Sequence, residues 1–446
     1  MASHPTQPFR AKDLIRDRAT ALRFIAVLGL QMGQIFPAAF IGLFLPVIFR
    51  QQGLALDMYW IFTLPAIPTW IRPLWAPLVD RTGSRSIGMR KTWFIPCTVF
   101  GALAYLSLTF WAPDLDNLAI IITILVIKTT FMTTQDIAID GYMVENIRDE
   151  ERAVGAAVLD IGRNTARFIA WAGIAWIYTE FGWSTALVVA SALLIIFSTP
   201  GVIRREPPRP TQFEHQRPSL ARLLKRRDSR YIYPLCFMIA LLGALLPSLY
   251  PTYLVDLGFS LGEVAAIAAP ATLIGTVIGA SATSWFLGRF GYKTTILTAS
   301  FMIMAAVIPI VWMGSLEDPT FVIVFAVTLN AIALPSFLDV SFQAARLKWA
   351  SKSQAATDYT SQIVMMTAGS GLAVAVGGVM AEHLGWFYYF LISGTLISVA
   401  CFVLYRLFDT VEGLVEIRDA DEAGELDAQT GTTTLQPAAS PGRSAS

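Results

Sequence analysis

Twelve apolar runs, each long enough to cross a bilayer, constrain this chain more than any other feature. They fall at about 23–49, 58–79, 92–111, 118–143, 153–180, 184–203, 231–256, 262–288, 294–314, 319–349, 354–382 and 386–408. A helix rising 1.5 Å per residue needs about 20 such positions for a ~30 Å hydrocarbon core. Lipid offers the backbone no hydrogen-bond partners, so runs of this length are expected as helices. Hydrophobic residues make up 55% of the 446 and charged residues only 15%, more apolar than a soluble domain tolerates.

The polar segments between the runs give an order and an orientation. The first 22 residues are polar and basic, and no small-residue cleavage site precedes the first run, which is therefore expected to remain in the mature protein. Residues 23–203 and 231–408 each hold six runs, separated by a linker at 204–230 that carries nine Lys or Arg together with several prolines. Arg81, Arg85, Arg90 and Lys91, then Arg148 and Arg152, then Arg289 and Lys293, then Arg346, Lys348 and Lys352 mark alternate loops. The positive-inside rule puts these loops and both termini in the cytoplasm. The opposite loops carry Asp114, Asp116, Glu180, Asp256, Glu263, Glu317, Asp318 and Glu382. From 409 to 446 the composition predicts a disordered cytoplasmic tail.

The halves repeat one another. Arg81 and Gly83 recur 208 positions later as Arg289 and Gly291, while Asp136 and Gly182-Trp183 recur 203 positions later as Asp339 and Gly385-Trp386. Two parallel six-helix bundles rocking about a central cavity follow from such a duplication. The glycine pairs Gly275 with Gly279 and Gly371 with Gly377 are read as close-packing positions.

Eight ionisable residues lie inside the runs: Arg72, Lys128, Asp136, Asp140, Asp160, Arg163, Arg167 and Asp339. Facing lipid they would cost on the order of 20 kcal/mol, so they face each other or water. Asp160, Arg163 and Arg167 share a helix face, as do Asp136 and Asp140. Lys128 and Arg167 fall at mid-depth with few carboxylates beside them, and are read as contacts to an anionic part of a substrate. Gln31, Gln34, Asn330 and Gln362 are candidates for uncharged contacts to the same solute, or for bonds between helices. Asp136, Asp160, Arg163 and Asp339 are candidates for proton coupling. The alternative is an ion network that holds helices together, in which Arg163 neutralises Asp136 or Asp160. Arg72, Asp80, Arg81, Asp140 and Arg289 are candidates for gating or for snorkelling near the cytoplasmic face. At the positions 203 after Asp160, Arg163 and Arg167 stand Ile363, Met366 and Ser370, so the repeated scaffold does not itself demand those charges.

Several stretches resemble the AmpG-type permease group of the major facilitator superfamily: Ile71-Arg72-Pro73-Leu74-Trp75-Ala76-Pro77-Leu78-Val79-Asp80-Arg81, Gly88-Met89-Arg90-Lys91-Thr92-Trp93, Thr134-Gln135-Asp136-Ile137-Ala138-Ile139-Asp140-Gly141-Tyr142, and Glu150-Glu151-Arg152. Leu45-Pro46-Val47-Ile48-Phe49-Arg50-Gln51-Gln52-Gly53 is similar to the RhtX/FptX-type siderophore permeases of that group. Arg72 stands where the family usually has a lysine. The resemblance implies an all-α major facilitator fold of twelve transmembrane helices in the bacterial inner membrane. It also implies a monomeric carrier that takes up a bulky polar solute, such as a siderophore or muropeptide, with protons.

Other functions are weighed on the same residues. A drug/proton antiporter is the nearest rival, although the fifth run lacks the proline such exporters tend to carry there. No Gly-rich phosphate loop points to a primary pump. A non-transporting membrane sensor stays open, whereas an enzyme is not expected, because His4, His215 and His383 lie in termini or loops. Cys97, Cys236 and Cys401 sit inside apolar runs, so neither a metal nor another cofactor is expected, and nothing calls for a nucleic-acid partner.

Overall fold

The computed structural model describes residues 17–84, 86–146, 152–205, 226–350 and 355–430. Helix accounts for nearly all of them, and the sole β-type pairing among the described residues is an isolated bridge between Ser84 and Gly88. The helices are α1 (Arg18–Gln51), α2 (Ile67–Ile71), α3 (Ala76–Arg81), α4 (Lys91–Ser107), α5 (Leu118–Asn146), α6 (Arg152–Phe168), α7 (Ala175–Ile203), α8 (Ser229–Ser248), α9 (Tyr250–Asp256), α10 (Leu261–Met313), α11 (Phe321–Ala333), α12 (Ser336–Trp349) and α13 (Ala355–Thr430). Helices α1 to α7 pack on one another, as do α8 to α13, which gives two bundles.

Among the described residues, eight helical stretches are long and apolar enough to span a membrane. Three of these stretches contain two helices, joined without a loop at Gly182, Gly291 and Gly385. Their φ values of 82°, 78° and 75° go with extended ψ, a backbone region that only glycine occupies at low cost. Gly182 and Gly385 thus share a conformation as well as a place in the repeat. The Gly83–Gly291 match does not extend to the backbone, because the first half instead puts the positive φ at Gly88, 119°.

The stretches so divided supply eleven of the twelve expected helices. In place of the second, Leu56–Arg81 forms a chain of 3-10 turns and short helices. Pro65, Pro68, Pro73 and Pro77 account for this break, since each removes a backbone donor and crowds the preceding turn.

Exposed apolar side chains such as Leu74 (80% exposed), Phe110 (84%) and Trp285 (69%) would be a liability in water and are at home against lipid. Between helices the packing is close. A Cβ at Gly275 would press on Ile332, one at Gly279 on the Ala333 carbonyl, and one at Gly371 on Trp70, in keeping with the expected close-packing role.

The C-terminal segment departs from expectation. The final helix continues through 409–430, where the composition predicts disorder. Val411 and Val415 are buried, Lys293 Nζ lies 2.6 Å from Asp409, and Lys348 pairs with Glu412. Arg418, buried, donates to Asp228 at 2.7 Å and to the Trp349 carbonyl at 2.8 Å. These anchors offset the low apolar content that favours disorder. Most of the linker, 206–225, and the last residues, 431–446, lie outside the described residues.

Candidate transport site

The predicted polar residues of the first bundle gather between α1, α5 and the α2–α3 junction. Gln31 Nε2 donates to Gln34 Oε1 at 3.3 Å, and Gln34 Nε2 donates to Asp140 Oδ1 at 2.9 Å, so two glutamines of α1 lead to a carboxylate of α5. Asp136, one turn earlier on α5, stands within electrostatic reach of Asp140, Arg72 and Lys128. Its Oδ1 is buried without a hydrogen-bond partner. Asp140 in turn feels Arg72 and Arg163. Arg72 is buried in this group, beside the Asp140 with which the sequence grouped it. Arg163 acts on Asp140, while its expected pairing with Asp160 lies outside the described residues.

Lys128 is only 3% exposed and makes no ion pair or hydrogen bond with a described residue. Its ammonium instead lies 5.2 Å from the centroid of the buried Tyr105 ring. A ring face stabilises a desolvated cation only partly, leaving charge for an anion to complete. Tyr105 is held by its hydroxyl, which donates to the Pro37 carbonyl at 3.0 Å. Arg167 lines a small cavity with Asn164, Phe168 and Trp171 from one bundle and Thr272 from the other. The backbone right after it, Ile169–Ile174, winds as a π-helix, a distortion often found at functional sites.

Other predicted residues lie apart from this group. Asn330 Nδ2 reaches the Ala305 carbonyl at 3.5 Å, which ties α11 to α10. Asp339 is exposed on α12, and Arg289 is exposed just before the Gly291 kink. The side chains of Asp80, Arg81 and Asp160 lie outside the described residues.

A latch at the acidic-loop end escaped the sequence reading. Arg50, at the end of α1, grips Asp256, at the end of α9, through Nε–Oδ1 at 2.6 Å and Nη2–Oδ2 at 2.7 Å. Trp386 Nε1 donates to the same carboxylate at 2.9 Å, and Glu382 accepts from the Leu56 backbone N–H at 2.9 Å. The Tyr59 hydroxyl lies 3.4 Å from Thr252 Oγ1. Polar ties from Arg50, Leu56 and Tyr59 thus join the bundles at this end. Arg50 was the available signal: it is a lone cation among acidic loops.

The Major Facilitator Superfamily model matches residues 19–337. AmpG 3 of Rickettsia prowazekii (strain Madrid E) is 24% identical over 416 residues, covering 84% of this chain and 92% of that one. The anhydromuropeptide permease of Escherichia coli (strain K12) is 24% identical over 327 residues, covering 72% of this chain and 66% of its own length. Among solved structures, a POT family transporter in complex with 5-aminolevulinic acid superposes with a TM-score of 0.65 at 12% identity, over 87% of this chain and 96% of that one. The nucleoside transporter NupG gives 0.62 at 15% identity, over 86% and 99%. At these identities the solved structures speak to the fold alone. With the family model covering most of its length, the chain belongs to the Major Facilitator Superfamily, and AmpG-type permeases are among its relatives.

Proposed function

We propose that this membrane transporter carries a bulky polar solute with an anionic group, such as a muropeptide or a siderophore, into the cell with protons. The observation that carries the reading is Lys128, a cation buried at mid-helix against Tyr105 with no carboxylate paired to it among the described residues. A charge in that position is costly unless a ligand completes it. Arg167 contributes a second cation, at a cavity bordered by both bundles.

Coupling is assigned to Asp136, whose unpartnered oxygen has cations and a second carboxylate around it. Gaining a proton there weakens its attraction to Arg72 and Lys128, which lets the solute site and the proton site bias one another. In this reading both termini are cytoplasmic, the protein is a monomer in the inner membrane, and the latched acidic end faces outward. The relatives' names support the muropeptide class, while the stretch around Arg50 favours the siderophore class.

Uptake into proteoliposomes of an anhydro-muropeptide, a ferric siderophore and a panel of cationic drugs, each with and without an inward proton gradient, tests the proposal. Gradient-driven accumulation of either anionic class that is lost in Asp136→Asn supports it. Drug efflux without such uptake refutes it and leaves the antiporter reading.

A further inference from the structure

The second bundle holds a buried charge, counted so far only toward orientation, that the transport site does not use. Arg346, in the last turn of α12, is 6% exposed and forms no ion pair with a described residue, although it stands within electrostatic reach of Asp339. Its Nε and Nη1 are buried without hydrogen-bond partners. Two rings flank it instead: its Cζ lies 5.6 Å from the Phe342 centroid and 5.5 Å from the Tyr359 centroid. A guanidinium keeps its charge at every physiological pH, so it cannot escape this environment by losing a proton. Rings satisfy its faces and leave the donors at its edge unused.

A second orphan lies close along the chain. Gln362, one turn beyond Tyr359 on α13, is fully buried, and both ends of its amide lack partners among the described residues. The internal repeat shows that neither residue is needed for packing. The positions 203 earlier are Met143 and Leu159, so the sister bundle builds the same scaffold with apolar side chains. Asp339 and Gln343 precede Arg346 by seven and three residues, on one narrow stripe of α12, and both are exposed. Because charges avoid lipid, that stripe borders an aqueous space, and Arg346 stands at its end.

We propose that Arg346, assisted by Gln362, forms an oxyanion site in the second bundle that receives a carboxylate or phosphate group of the transported solute. The bidentate edge of the guanidinium matches either group, and the neutral amide adds one donor without adding charge. This rests on the reading of the chain as a carrier of an anionic solute. It gives that solute a contact in each bundle: Lys128 in the first and Arg346 in the second.

The test uses the purified full chain in phosphatidylcholine nanodiscs, with thermal unfolding followed while inorganic phosphate or citrate is titrated against chloride at constant ionic strength. Wild type is expected to be stabilised by citrate or phosphate and not by chloride. Arg346→Met, which installs the sister bundle's residue, is expected to melt higher than wild type without ligand, because a buried unpaired charge is gone. It is also expected to need about tenfold more citrate, or beyond, for half-maximal stabilisation. Arg346→Lys should recover only part of that response, and Gln362→Leu should lose part of it. The proposal is overturned if Arg346→Met lowers the ligand-free melting temperature and responds to citrate as wild type does. It is equally overturned if stabilisation appears only when phosphatidylglycerol is added to the nanodiscs, which would identify a lipid headgroup as the occupant. Lys128→Gln, run in parallel for uptake, separates the two proposals: loss of uptake there with a normal citrate response in Arg346→Met removes the second site alone.

Discussion

Breaking the Arg50–Asp256 latch should open the acidic end of the protein without unfolding it. The pair is bidentate, at 2.6 and 2.7 Å, and its side chains are 22% and 20% exposed, so it is neither fully screened nor fully desolvated. Exposed ion pairs contribute up to about 1 kcal/mol and charge-assisted hydrogen bonds up to about 3. A worth of about 1–3 kcal/mol for closure follows, which is roughly a 5- to 150-fold change in the ratio of open to closed forms. Thr252, fully buried at the seam against Tyr59, is a suitable reporter position once replaced by cysteine. The native thiols Cys97, Cys236 and Cys401 are all buried and give little background. In whole cells, labelling of Thr252→Cys by a membrane-impermeant maleimide should accelerate by that factor when Asp256→Asn is added. The reversed pair, Arg50→Asp with Asp256→Arg, should restore slow labelling. Unchanged labelling in Asp256→Asn, with normal expression, would refute the latch.

Lys128→Gln and Arg167→Gln should each weaken solute binding by about 30- to 1,000-fold if the anion loses a desolvated partner, and Arg167→Lys should rescue in part; equilibrium binding to the purified variants checks this. Replacing Gly385 by alanine forces a side chain into a backbone region at φ 75° and should lower stability by about 1–3 kcal/mol, read as the denaturant midpoint, whereas the open surroundings of that glycine rule out a steric cause. Docking of the C-terminal helix should weaken in acid. Burial works against ionisation of Asp228, but hydrogen bonds from Arg226 and then Arg418 outweigh it and hold the carboxyl below its usual 3.8. A depressed folded value means the contribution is complete above about pH 4 and is lost as pH falls through the lower folded value, so protease sensitivity of residues 409–430 should rise only there.

Much of the architecture was legible because lipid imposes one rule on every helix. Run length located the helices, and the repeat of Gly182 at Gly385 located two hairpins that share a backbone conformation. The broken second helix was less legible: its hydropathy reads as a continuous run, and only the four prolines between 65 and 77 mark the fault. The shared face of Asp136 and Asp140 was visible as helical spacing on α5, because neighbouring turns of one helix face the same way, whereas their tie to Gln34 on α1 was not. Arg50 and Asp256 lie 206 residues apart, and no local pattern pairs them. The docked tail was hidden for the same reason, since Arg418 finds its partners in α12 and at the start of α8.

The docked tail also bears on how the protein is made. Arg418 is synthesised 190 residues after its partner Asp228. At about 5–20 residues per second, Asp228 waits roughly 10 to 40 s for that partner to leave the ribosome. Arg226, two residues away and 2.6 Å from the same carboxylate, is available from the outset. Asp358 then arrives to share Arg226 and to accept the Tyr233 hydroxyl at 3.0 Å. Assembly at this face is therefore stepwise: a local pair forms first, a neighbouring helix joins it, and the tail closes over both. Shortening the chain ahead of Val411 would leave the early pair intact and remove only the closing step, so such a product should insert into the membrane and yet present an unfinished face to quality-control proteases.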